Sequence, residues 1–174
     1  MKALLAALAV LAAPPSVHPW PIGPGPRFLP PARTAAVAAG KPVGSLACGS
    51  AAASFRLHLE VFVNRKVVVV PAGIGVSKPG CVYAIRTTAP GGVFYVARSD
   101  RLTLADLFRV WGQPLGANRL VSFSSKQPVR AYVAGKPVRG PIGAIPLTRH
   151  AEIVVELGAY VAPHPFFLFP GGDS

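Results

Sequence analysis

The stretch "FRLHLEVFV" (55–63) constrains the fold more than any other part of this chain. Phe55, Leu57, Leu59, Val61 and Val63 fall on one side of an extended backbone, and Arg56, His58 and Glu60 fall on the other. That period of two is the pattern of a half-buried β-strand. A strand cannot bury an apolar face alone, so the chain needs a sheet with a packing layer on one side. Asn64-Arg65 reads as a two-residue hairpin turn, with "KVVVV" (66–70) as the returning strand and Pro71 and Gly73 ending it.

The remaining patterns supply that layer. Residues 81–87 and 92–98 read as a second strand pair around "APGG". "LTLADLFRVWGQP" carries the one strong helix signal. Thr103 suits the N-cap and Asp106 the matching capping-box position, and Leu102 with Leu107 suits a hydrophobic staple. Leu104, Leu107, Phe108 and Trp111 share one helical face, and Gly112 and Pro114 stop the helix. A further hairpin spans 129–138 with Ala134-Gly135 at its turn, and "AEIVVELG" (151–158) is a final strand. Phe166, Phe167 and Phe169 in the tail are expected to pack on the sheet. The order predicts an α+β domain: a mostly antiparallel or mixed sheet of about six to seven strands with one amphipathic helix (103–111). The order from Gly92 to Gly158 is β-grasp-like.

The N-terminal third reads differently. Met1 and Lys2 precede the apolar run "ALLAALAVLAA" (3–13), with Val10 and Ala12 at small-residue positions before a cleavage point. This is the layout of a secretory signal peptide, and the run is shorter than the roughly 20 residues that span a bilayer. Residues 14–47 are rich in proline, which disfavours helices and central strands, and read as a linker. The globular domain is expected over 48–170, with 171–174 as a flexible tail. The expected location is therefore extracytoplasmic, secreted or associated with the cell envelope. An even count of two cysteines in an exported chain suggests a disulfide between Cys48 and Cys81. A lipid-attachment box at "SLAC" (45–48) is the rival reading; it lies far from the apolar run and its leucine stands one place too close to the cysteine.

Charge narrows the partners. Eighteen Lys and Arg against six Asp and Glu give a net charge of +12. Such a balance favours anionic partners, including peripheral contact with an anionic membrane. Nucleic acid is not expected: the aromatic residues fall at core positions rather than beside basic ones, and no recognition motif is present. Catalytic machinery is equally thin. The carboxylates are Glu60, Asp100, Asp106, Glu152, Glu156 and Asp173, and the histidines are His18, His58, His150 and His164. No H-E-x-x-H, nucleophile elbow or carboxylate pair on one face is visible, so no catalytic residue and no cofactor are predicted. His58 reads as a solvated strand histidine; as a metal ligand it would need company from outward residues of other strands.

"HLEVFVNRKVVVVPAGIGV" followed by "CVYAIRTTAPGGVFYVARSDRLTLADLFRVWGQPL" resembles a group of uncharacterised exported or membrane-tethered bacterial proteins. The likeness covers about residues 46–170, and "FRVWGQPL", "VPAGIGV" and the cysteine before the third strand are its most specific parts. Members of that group are rich in histidine at two places, matched here by Ser54, Arg56 and His58, and by Arg86, Thr87, Thr88 and Ala89. The resemblance implies a transition-metal site in the group, of which this chain keeps only His58.

Three functional expectations follow. The first is a non-enzymatic exported domain that binds an envelope ligand, with Arg56, His58, Arg86 and Thr88 forming an anion patch, since arginine's planar fork suits carboxylate and phosphate. The second is a metal-binding or metal-delivery protein using His58. The third is an envelope hydrolase.

Overall fold

The computed structural model describes residues 28–29, 40–49, 53–78, 81–98 and 101–169. The leader (1–13), the tail end (171–174) and most of the proline-rich stretch lie outside the described residues. Twelve strands and one α-helix follow in chain order: β1 (Phe28–Leu29), β2 (Ser54–Val63), β3 (Lys66–Val68), β4 (Val76–Lys78), β5 (Cys81–Val82), β6 (Ile85–Arg86), β7 (Val93–Ala97), α1 (Leu104–Trp111), β8 (Arg119–Leu120), β9 (Phe123–Ser124), β10 (Arg130–Val133), β11 (Lys136–Pro137) and β12 (Glu152–Leu157). A 3-10 turn covers Ile142–Ala144.

The main sheet is mixed and has eight strands, in the order β1-β3-β2-β12-β10-β11, with β7 and then β6 continuing from β2. Its centre is β2 and β12, the first long strand and the last, running parallel with Glu152 beside His58 and Leu157 beside Val63. β2 is long enough to serve two partners along its other edge. Phe62 and Val63 pair with β3, and 54–58 pair antiparallel with β7. The architecture is thus α+β and dominated by sheet. It has one or two strands more than the sequence patterns predict. One is the two-residue β1, which comes from within the proline-rich stretch and pairs parallel with β3. The expected strand over 81–87 is broken: β5 pairs with β4 in a separate two-stranded sheet, and only β6 pairs with β7.

Both hairpin turns use left-handed backbone at both central positions, φ 48° and 65° at Asn64 and Arg65, and 49° and 74° at Ala134 and Gly135. That handedness matches the right-handed twist of the flanking strands. The helix begins as its sequence demands: the Thr103 amide and hydroxyl both donate to the Asp106 carboxylate, at 2.9 and 2.8 Å. It ends at Gly112, whose φ of 71° a residue with a Cβ would resist.

The core lies between α1 and one face of the sheet. Leu57, Leu59, Val61 and Val63 of β2 join Phe94, Val96, Ile153, Val155 and Leu157, against Leu104, Leu107, Phe108 and Trp111 of the helix. Burying each large side chain contributes about 1.5–3 kcal/mol. Val43 and Leu46, inside the stretch read as a linker, also pack against this core. The disulfide joins Cys48 to Cys81 across a separation of 33 residues. Closing such a loop contributes roughly 3–4 kcal/mol in the chain-entropy picture. No helix among the described residues is long and apolar enough to cross a membrane.

Candidate metal centre on the covered face of the sheet

The opposite face of the sheet carries the polar half of β2, and the structure corrects the expectation that it is open to water. After β12 the chain turns back at Gly158 and runs over this face as far as Phe169. Val161 packs against a second apolar cluster of Phe62, Tyr132 and Val154. Phe167 then stacks on the His58 imidazole with ring centroids 3.7 Å apart and planes at 16°. Phe169 meets Phe167 edge-on and lies under the Arg56 guanidinium, 5.3 Å from its ring centre. Phe167 and Phe169 therefore pack as expected, whereas Phe166 is left exposed.

His58 is consequently buried, at 4% exposure, and both its nitrogens are engaged. Nε2 lies 2.9 Å from the Gly91 carbonyl oxygen and Nδ1 lies 2.7 Å from Glu152 Oε2. A carbonyl only accepts, so Nε2 carries a hydrogen and donates it. One further hydrogen is then shared between Nδ1 and the carboxylate. The register explains the meeting: parallel pairing sets Glu152 directly beside His58, on the same face. The other Glu152 oxygen, Oε1, is buried without a hydrogen-bond partner among the described residues. Burial holds the Glu152 carboxyl above the usual carboxylate range, and the hydrogen bond and charge of His58 offset this only in part.

Glu60, two residues along β2, completes the group. One ligand atom each from His58, Glu60 and Glu152 lie within 4.8 Å of one another. Glu60 Oε2 also accepts a hydrogen bond from Nδ1 of His164, at 2.7 Å, on the overlying tail. The expectation that no two carboxylates share a face is thus overturned, because the pair is built from two strands.

Chemically, the arrangement suits a cation. An imidazole whose Nε2–H is fixed by a backbone carbonyl ligates through Nδ1 once the hydrogen shared with Glu152 is displaced, and that carbonyl is the usual outer support of a metal-bound histidine. Two carboxylates stand beside it, one of them with a buried oxygen that has no hydrogen-bond partner among the described residues. A dication that takes the place of the shared hydrogen would offset the desolvation that raises the Glu152 carboxyl.

The remaining predicted residues lie around this centre. Arg86, Tyr95 and Arg56 form one row across β6, β7 and β2 on the same face, with Arg86 5.6 Å over the Tyr95 ring. His58 stands one row further along, beneath Phe167 rather than beside the arginines on an open surface. Thr88 is exposed and lies beyond the end of β6. Its neighbour Thr87 is fully buried; its hydroxyl donates to the Pro71 carbonyl at 2.8 Å and accepts from the Ile74 amide at 3.1 Å. "RTTA" is therefore a row of surface arginine and structural threonine. His150 is exposed in the turn before β12 and touches Phe169.

No protein-family model matches this chain, and no curated protein and no solved structure is significantly similar to it.

Proposed function

We propose that this is a non-enzymatic metal-binding domain of the cell exterior, which holds a divalent ion through Nδ1 of His58 and the carboxylates of Glu60 and Glu152. One observation carries the reading: three ligand atoms of the right types lie within 4.8 Å of one another, and one of the two carboxylates has a buried oxygen with no hydrogen-bond partner among the described residues. A pair of oxygens and a nitrogen with no thiolate suits zinc and its first-row neighbours more than copper(I). Export is supported by the apolar leader and by the Cys48–Cys81 bridge, which persists in oxidising compartments. The β-grasp reading is supported by the order β3-β2-β12-β10-β11, with the first and last long strands parallel at the centre and one helix across them.

Calorimetric titration of the oxidised protein with Zn(II) and Cu(II) tests it. One site per chain is expected, abolished in Glu152→Gln, a variant that keeps the side chain's shape and is checked for folding by circular dichroism. Wild-type protein that binds neither ion overturns the reading.

A second reading rests on the Arg86–Tyr95–Arg56 row, which offers two guanidinium groups on one face to a polyanion. Binding of anionic vesicles or polyphosphate at low salt, lost in Arg56→Ala/Arg86→Ala, is the outcome it requires. Equal binding by the double variant removes it.

A further inference from the structure

We infer that the C-terminal tail supplies the fourth ligand, Nδ1 of His164, so that a zinc-class ion is held tetrahedrally between two strands and the tail and fastens the tail to the sheet. This rests on the metal reading above and goes beyond it, because it gives the tail a chemical role.

Two histidine–carboxylate pairs lie side by side on this face. His58 with Glu152 and His164 with Glu60 each have Nδ1 2.7 Å from a carboxylate oxygen. Each pair holds one hydrogen between nitrogen and oxygen. A dication takes the place of both hydrogens. That leaves two carboxylates and two neutral imidazoles around it, with a net charge of zero. The hydrogen from His58 leaves to solvent; that from His164 leaves likewise or moves to its own exposed Nε2. The spacing within each pair is compatible. Metal–ligand distances of about 2.0–2.1 Å in a tetrahedron put neighbouring donors roughly 3.3 Å apart. The nitrogen–oxygen pairs need only open slightly and the separations within the three-residue group, 4.8 Å at most, need only close; His164 lies outside that group, so the tail must draw its Nδ1 inward from Glu60 toward His58 and Glu152.

The tail is delivered to this position by contacts that involve no metal. Val161 N–H donates to Glu156 Oε1 and Ala159 N–H to Asn64 Oδ1, each at 3.3 Å. Arg65 Nε donates to the Tyr160 carbonyl. Pro165 sits against the β10–β11 turn, where a Cβ on Gly135 would come within 3.3 Å of it. The segment on both sides of His164 is thereby aligned. The ion's route in is also visible. The His58 and Glu152 side chains are 5% and 1% exposed, whereas those of His164 and Glu60 are 60% and 19% exposed. An ion reaches the tail side first and the buried pair second. Both described cysteines are locked in the disulfide, so no thiolate competes for it.

The test compares wild type with His164→Ala, a substitution at an exposed position that leaves the core intact. Co(II) is the spectroscopic probe and Zn(II) the competing ion, with backbone hydrogen exchange over 159–169 as the second readout. Wild type is expected to give the intense visible absorption of tetrahedral Co(II) and slower exchange in the tail when loaded. His164→Ala is expected to give weak absorption of higher coordination, affinity lower by at least the roughly 10–100-fold that an outer-shell partner costs, and no change in tail exchange. Wild-type protein that binds metal with an unchanged spectrum and affinity in His164→Ala overturns this inference while leaving the three-residue site. Wild-type protein that binds neither ion overturns both.

Discussion

Glu152 stands beside His58 across the two parallel central strands, and this one register position joins residues 94 apart in sequence into a buried polar pair. Such a pair is a poor source of stability, because desolvating both groups offsets most of their attraction. Removing one partner leaves the other buried without compensation. Glu152→Leu alone is therefore expected to destabilise by about 3–5 kcal/mol, while His58→Leu/Glu152→Leu recovers most of that loss. Urea denaturation of the two variants and wild type measures the cycle. A double variant less stable than the single one would make the pair a structural device rather than a retained site.

Gly92 controls the carbonyl that fixes the imidazole. Its φ is 84°, and a Cβ there would collide with the Leu59 carbonyl oxygen and lie 3.2 Å from His58 Nε2. Gly92→Ala is expected to cost about 1–3 kcal/mol from the backbone conformation alone. It should also displace the Gly91 carbonyl from Nε2 and weaken metal binding. Thermal unfolding and a Zn(II) titration of the same sample check the two effects; unchanged stability would contradict the first.

Thr87 ties the 71–75 loop to the end of β6. Besides its hydroxyl contacts, its amide donates to the Ile74 carbonyl at 3.0 Å and its carbonyl accepts from the Gly73 amide at 3.1 Å. Thr87→Val keeps the shape and strands the Ile74 amide and the Pro71 carbonyl, at about 1–3 kcal/mol for a buried unsatisfied group. Thr87→Ser should restore most of it, and Thr88→Val should change little. Equal melting temperatures for Thr87→Val and wild type would refute the assignment.

The fold was legible where its determinants are local. Alternation over 55–63, the Thr103–Asp106 cap, Gly112 and the two hairpin turns each act within a few residues, so the chain announces them. The candidate site was not. Nothing near Glu152 states that it will lie beside His58, because the register of a parallel pair is set by everything between the strands. The polar face of β2 read as solvated for the ordinary reason that polar faces usually are. The available signal lay in the tail: three phenylalanines and a histidine within six residues suit a surface to cover, and this polar sheet face receives Phe167, Phe169 and His164.

Glu156 provides a pH test separate from the metal centre. It is fully buried on the tail-covered face. Arg130 Nη2 donates to its Oε2 at 3.1 Å and to the Gly158 carbonyl at 2.8 Å. Burial holds this carboxyl above its ordinary value of 4.5, with Arg130 and the Val161 amide offsetting part of the rise. A folded-state pKa above the unfolded one means that the folded chain holds the proton more tightly. The contribution to stability is then fully present below the unfolded value and is lost as pH climbs through the folded one. Between those two limits wild-type stability should therefore fall with rising pH more steeply than that of Glu156→Gln, which has no proton to lose. Arg130→Met removes the main offset, pushes the carboxyl higher and should extend the falling window upward. Urea midpoints taken across the acidic range give the slopes, and parallel curves for wild type and Glu156→Gln would show that burial does not govern this carboxyl.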